Sequence, residues 1–344
     1  VRAMLETIWF LLWGILWAVY FMLDGFDLGL GTLNPFISRN ETEKRILYNS
    51  MGPFWDGNEV WLIAAGGVTF AAFPTMYAVM FSALYSPLLL ILFGLIIRGV
   101  AFEFRGKIDN EGWRVLWDIC HFLGSFGPAL LFGVAFANIF QGIPIDGRGV
   151  FQGSILTLLN PYGILGGLLF VMLFLVHGAL WLAIKSSGDL EARAGRTAGR
   201  LWWALLVVAV VFLVATFFST NLYANYFANP VLFVVPLVTV SALLAVRWFI
   251  AIKRWWKAWF ASSLTIVTAT LFGIIGLYPN MLPSSLNPKY SLTAFNSASS
   301  PLTLKIMLVV ALVFVPIVIL YQAWGYYLLR GKVTEEDLAS DEAY

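Results

Sequence analysis

About nine stretches of this chain are apolar for long enough to cross a lipid bilayer, and that feature limits the fold more than any other. A helix needs roughly 20 apolar residues to span the hydrocarbon core. Runs of that kind occupy 8–33, 50–73, 76–102, 115–140, 161–185, 201–224, 230–252, 258–279 and 303–329. Pro74 separates the second from the third. Ile143-Pro144-Ile145-Asp146-Gly147 marks the fourth connection, and Asn229-Pro230 opens the seventh run. The connection from about Pro279 to Pro301 is rich in Ser, Asn and Pro and is predicted to be irregular. Of the 344 residues, 60% are apolar and only 12% charged. A soluble domain carries roughly 25% charged residues, so lipid must serve as solvent for much of this chain. The predicted class is an all-α integral membrane protein. The first run passes beyond signal-peptide length, so no cleavable leader is expected.

Basic residues set the orientation. Connections after runs one, three, five and seven, with the C-terminal tail, hold sixteen Lys and Arg; the opposite side holds four, and Arg98 lies within a run. The excess predicts an N-terminus outside and a C-terminus in the cytoplasm of a bacterial or archaeal cell membrane. A weak repeat is also visible. Trp9 precedes Asp24-Gly25 by the same spacing that separates Tyr162 from His177-Gly178, and each Gly is followed by a basic connection about twenty residues on. This predicts two four-helix bundles plus one extra helix: residues 1–141, residues 142–284, and a final segment 285–344 with an extracellular connection, the ninth helix and an acidic cytoplasmic tail.

Several function classes are excluded by what is scarce. A net charge of +2 gives no basis for nucleic-acid binding. Cys120 is the single cysteine, which rules out an intrachain disulfide or a cysteine cluster. His121 and His177 are the only histidines, and no pair is placed to clamp a haem between two helices. The 29 Phe, 15 Trp and 13 Tyr read as interface belts and helix packing.

Ionisable residues within the runs point to function, because a charge at mid-membrane costs several kcal/mol and usually faces protein or water. Asp24 and Asp27 lie in the first run; Asp56, Asn58 and Glu59 lie in the second. Each acid pair is three residues apart and shares a helix face. Counting from the flanking basic residues at ~1.5 Å per residue puts Asp27 and Asp56 roughly 16–18 Å from the cytoplasmic edge, with Asp24 and Glu59 a turn deeper. By the same count Arg98, Asp118 and His121 lie about 6–10 Å from that edge. An Arg98–Asp118 interaction is predicted from this. So is a series of protonatable groups leading inward, with Asp56 between the shallow groups and the deeper acids. His177 reads as a hydrogen-bonded packing residue.

These residues carry a family likeness. Asp24-Gly25-Phe26-Asp27-Leu28-Gly29, Arg39-Asn40-Glu41-Thr42-Glu43 and Trp55-Asp56-Gly57-Asn58-Glu59-Val60-Trp61-Leu62 resemble subunit II of the cytochrome bd ubiquinol/menaquinol oxidases. The same holds for Gly133-Val134-Ala135-Phe136-Ala137-Asn138, Leu159-Asn160-Pro161-Tyr162-Gly163, Tyr278-Pro279 and Tyr321-Gln322-Ala323-Trp324. The resemblance implies a complex that oxidises quinol and reduces oxygen to water. It implies that haem b and haem d are held mainly by a partner subunit I, with none assigned to this chain, and that a small single-helix subunit can join. It also implies that subunit II lends polar residues to a cytoplasmic proton route. Carried over by position, the candidates are Asp24, Asp27, Asp56, Asn58, Glu59 and Arg98. Asp118 and His121 join them from the depth argument. The connection from Asn225 to Pro230 is shorter than in some members, which removes the basis for a quinone or lipid there. Two alternatives stand beside this: a proton-coupled transporter and a purely structural membrane subunit.

Overall fold

The computed structural model describes residues 2–340 and 343–344. Val1 and two acids of the expected tail, Asp341 and Glu342, lie outside the described residues. Helix α1 runs Arg2–Ile37 and α2 Glu41–Met51. They are followed by α3 Trp55–Ala72, α4 Pro74–Ala83, α5 Tyr85–Phe104 and α6 Glu111–Gln141. After the short α7, Ile155–Leu158, come α8 Pro161–Lys185, α9 Gly188–Ser219 and α10 Tyr223–Ala228. Then follow α11 Val234–Ala251, α12 Trp255–Leu277, a hairpin of β1 Asn280–Leu282 and β2 Leu292–Thr293, α13 Ala294–Ser297 and α14 Pro301–Leu328.

Local chemistry sets the boundaries. Asn40 caps α2 by accepting the Glu43 amide at 2.9 Å, and Glu43 accepts the Arg39 amide at 2.7 Å in return. Asn110 and Asn160 cap α6 and α8 in the same way. Pro74 and Pro161 sit in first turns, where no amide is needed. Pro87 cannot donate to the carbonyl of Ala83, and the chain is interrupted at Leu84 between α4 and α5.

Eight helices among the described residues are long and apolar enough to cross a membrane. The expected second run is interrupted at Gly52-Pro53-Phe54, and its remainder is α3, 18 residues with Asp56, Asn58 and Glu59 in its first two turns. The expected third run is two helices, α4 and α5. The connection predicted to be irregular holds the β1–β2 hairpin.

Helices α1 and α8 form the centre. They approach through glycine: a Cβ built on Gly29 would overlap the carbonyl oxygen of Phe174, and one on Gly178 would lie 2.6 Å from the Leu30 amide. Around them α1 packs on α3, α6 and α12, while α8 packs on α6, α9 and α12; α5 leans on α6 and α11 on α12. Helix α14 stands at the rim, almost wholly exposed, whereas α8 is largely buried. It is fastened by the Trp9 indole to the Leu304 carbonyl at 3.0 Å, and by Lys185 Nζ to the carbonyls of Leu329 and Gly331. At the tail, Tyr344 folds back onto Asn49, with its ring against Phe102.

Candidate functional site

The polar core begins on α1, where Tyr20, Asp24 and Asp27 follow one another along a single face and are all completely buried. Asp24 accepts Tyr20 Oη at 2.9 Å and Arg98 Nη2 at 2.8 and 3.0 Å. The same Nη2 donates to Glu59 Oε1 at 2.5 Å. Thus α1, α3 and α5 meet at one guanidinium. Next to it, Asp27 accepts Asn58 Nδ2 at 2.7 Å. Asn58 in turn accepts Tyr326 Oη at 2.7 Å and Gln322 Nε2 at 3.1 Å, and Trp61 Nε1 donates to Gln322 at 2.7 Å. The network therefore extends from α1 through α3 to α14.

Within this core one fixed positive charge faces three carboxylates, those of Asp24, Asp27 and Glu59. Asp27 Oδ1 and Arg98 Nε and Nη1 are buried with no protein partner among the described residues. A buried polar atom left unpaired costs about 1–3 kcal/mol. The Glu59 side chain is 23% exposed, so the cluster reaches the surface of α3. Asp56 lies one turn earlier on that surface. It is exposed and, among the described residues, accepts the neighbouring Gly57 amide at 2.7 Å. Asp56 thus stands on the outer face of α3, one turn before Glu59. The turn at Gly52-Pro53-Phe54 breaks the helix along which its depth was counted.

A second cluster lies apart. Asp118 pairs with Lys44 Nζ at 2.8 Å and Arg105 Nε at 2.7 Å, and Arg105 also holds Glu41 at 2.8 Å. Arg98 and Asp118, expected to meet directly or through water, make no direct contact: each has other partners. Arg105, the residue from which the depth of Arg98 was counted, is itself buried and takes the place beside Asp118. Tyr48 donates to Asp118 at 3.1 Å. Burial first, and the Asp118 charge second, raise the Tyr48 hydroxyl well above its usual pKa, so it remains a neutral donor. Asp118, Lys44 and Arg114 line an open groove of about 800 Å³ beside the end of α1.

His121 lies between the clusters, fully buried, with its ring 4.7 Å from that of Tyr48 and 4.9 Å from that of Phe102. Neither ring nitrogen has a partner among the described residues. His177 is engaged at both nitrogens, by Ser262 Oγ at 3.0 Å and the Met22 carbonyl at 2.9 Å, and stacks on Trp259. His177 is thus saturated, while His121 is wedged between two rings. No group of three or more His, Cys, Asp or Glu among the described residues is placed to hold a metal.

Sequence reasoning thus finds Asp24, Asp27, Asn58, Glu59 and Arg98, which do converge. It misses Tyr20, Gln322 and Tyr326. Tyr20 was available as the residue one turn before Asp24. The other two come from α14, far away in sequence, and no local signal ties them to Asn58.

The model of the cytochrome bd terminal oxidase subunit II family matches residues 5–329. Cytochrome bd ubiquinol oxidase subunit 2 of Bacillus subtilis (strain 168) is 37% identical, over 97% of this chain and 98% of its own length. Cytochrome bd-I ubiquinol oxidase subunit 2 of Escherichia coli (strain K12) is 38% identical, over 97% and 96%. The structure of bd oxidase from Geobacillus thermodenitrificans contains a chain of the same fold, with a TM-score of 0.76 at 18% identity over 95% of this chain and 97% of that one. By sequence along nearly its whole length, and by fold, this multi-pass membrane chain belongs to the cytochrome bd terminal oxidase subunit II family.

Proposed function

We propose that this chain assembles with a haem-bearing subunit I of a quinol:oxygen oxidoreductase and supplies part of the proton route for oxygen reduction. Haem b and haem d belong mainly to that partner, and quinol and oxygen are substrates of the complex. The chain lies with its N-terminus outside and its C-terminus in the cytoplasm, which the distribution of Lys and Arg supports. Two four-helix units make up the fold, one around α1 and one around α8. The like pairing of α5 with α6 and of α11 with α12 supports this division.

The observation that carries the proton route is the surplus of carboxylates around Arg98. One guanidinium balances one of the three acids beside it. Ionising all three in a low-dielectric interior is unfavourable, so the cluster retains protons and can exchange them. Protons enter at Asp56, pass to Glu59 one turn along α3, and reach Asp24 across the Arg98 guanidinium. Arg98 stays protonated and holds the two carboxylates within reach of its Nη2. Water satisfies Arg98 Nε, Arg98 Nη1 and Asp27 Oδ1 and bridges the gaps. Asp118, saturated by two cations, braces α2 against α5 and α6 and stays outside the exchange path.

The test is turnover per haem d in Asp56→Asn and Glu59→Gln, measured in the assembled complex. Both variants keep shape and hydrogen bonding but lose simple proton exchange. A relay predicts a full haem complement with turnover slowed about tenfold or more. A purely structural role predicts poor assembly with normal turnover in the complexes that survive, and that result would refute the route.

A further inference from the structure

We propose that the basic ends of α9 and α11 form a binding site for the headgroup of an anionic phospholipid. A groove of about 760 Å³ opens there between the two helices. Arg196 and Arg200, one turn apart on α9, line one wall, and Arg247 and Lys253 line the other. None of the four forms an ion pair among the described residues. The one acid in the groove, Glu191, is already engaged by Lys332 Nζ at 2.6 Å and Trp255 Nε1 at 2.8 Å. Three arginines, with Lys253 beside Glu191, leave the groove with a surplus of positive charge around a floor made by Gly195 and Gly199.

The order of residues along the helices favours a lipid over a free anion. On α9 the face bearing Arg196 and Arg200 continues to Trp203 and then to Val207, Val211 and Val214, each about half exposed or more. On α11 the face bearing Arg247 continues to Leu244 and Val240, also exposed. Arg247 lies 5.9 Å from the Trp203 ring. Cations, then an indole, then an aliphatic strip repeat the order of headgroup, interface and acyl chain in one leaflet. A free phosphate would use only the cations. The site lies on helices that carry none of the buried acids and does not depend on the proton route.

The intact oxidase complex, delipidated in neutral detergent, would be titrated with phosphatidylglycerol, phosphatidylcholine and inorganic phosphate. Thermal stability is followed, and retained lipid is counted by native mass spectrometry. Phosphatidylglycerol is expected to raise the melting temperature and stay bound; the other two are not. Arg200→Gln with Arg247→Gln should weaken retention about fivefold for each cation removed. A charge-matched control on the same side, Lys107→Gln with Arg330→Gln, should retain the lipid. Gly199→Leu leaves every charge in place and fills the floor, where a Cβ meets only Ile250 at 3.5 Å. It should also lose the lipid, which keeps the test open should the arginine variants fail to assemble. An equal loss in the control, an equal shift with phosphate, or full retention in both groove variants would overturn the proposal.

Discussion

Arg98 meets both of its carboxylates through one nitrogen, Nη2, at 2.8 Å from Asp24 and 2.5 Å from Glu59. Its energetic weight lies in what its loss would expose. Removing one partner of a buried pair leaves an uncompensated charge and costs about 3–5 kcal/mol, while removing both together costs much less. A double-mutant cycle on Arg98→Leu and Asp24→Leu is therefore expected to be strongly non-additive in the thermal stability of the complex. The same cycle on Arg98 and Asp118 should be additive within about 0.5 kcal/mol, because the two share no partner. Coupling of similar size in both cycles would contradict the two-cluster geometry. From sequence, Arg98 was identifiable as a charge inside an apolar run, but its partner was not. Rise per residue locates a Cα along an axis. It says nothing of where a long guanidinium side chain reaches, or of whether the nearest basic residue marks the membrane edge.

At the level of elements, the α1–α8 crossing depends on glycines that meet different kinds of neighbour. The Cβ of a residue at position 29 would overlap the backbone of α8, while at position 25 it would lie 2.7 Å from the Phe174 ring. A ring can turn aside, but a helix backbone in contact along its length cannot move locally. Gly29→Ala is thus expected to cost more than the ~1–3 kcal/mol typical of overpacking, and Gly25→Ala to stay within that range. Yield and melting temperature of the complex would check this, and equal effects of the two substitutions would count against the close crossing. The Asp24-Gly25 and His177-Gly178 signatures that suggested a repeat thus fall on two helices in direct contact. Their periodicity was legible in the sequence because glycine is conspicuous in an apolar run. The α4–α5 break was harder to read, since Pro87 sits within a stretch that is apolar on both sides.

For the whole molecule, the proposal that haems reside in the partner carries its own test. His177 has both nitrogens engaged and His121 is packed between two rings. The isolated chain is therefore expected to hold far less than one haem in a pyridine haemochrome assay, whereas the assembled complex shows the haem d band. One haem per isolated chain would refute it. The sequence by itself determined the class of fold, the approximate spans and the bias of charge, because hydropathy and Lys/Arg content are sums over local residues and lipid filters for them directly. It also marked the acids of α1 and α3 as unusual, since a carboxylate in an apolar run is costly wherever the run is placed. Only the tertiary structure decided which charges meet. It brought Gln322 and Tyr326 of α14 to Asn58, took Asp118 away from Arg98, and turned Asp56 outward while drawing Glu59 in. Those choices depend on helix rotation and crossing, which are set by contacts between residues distant in the chain, and no local window of sequence contains them.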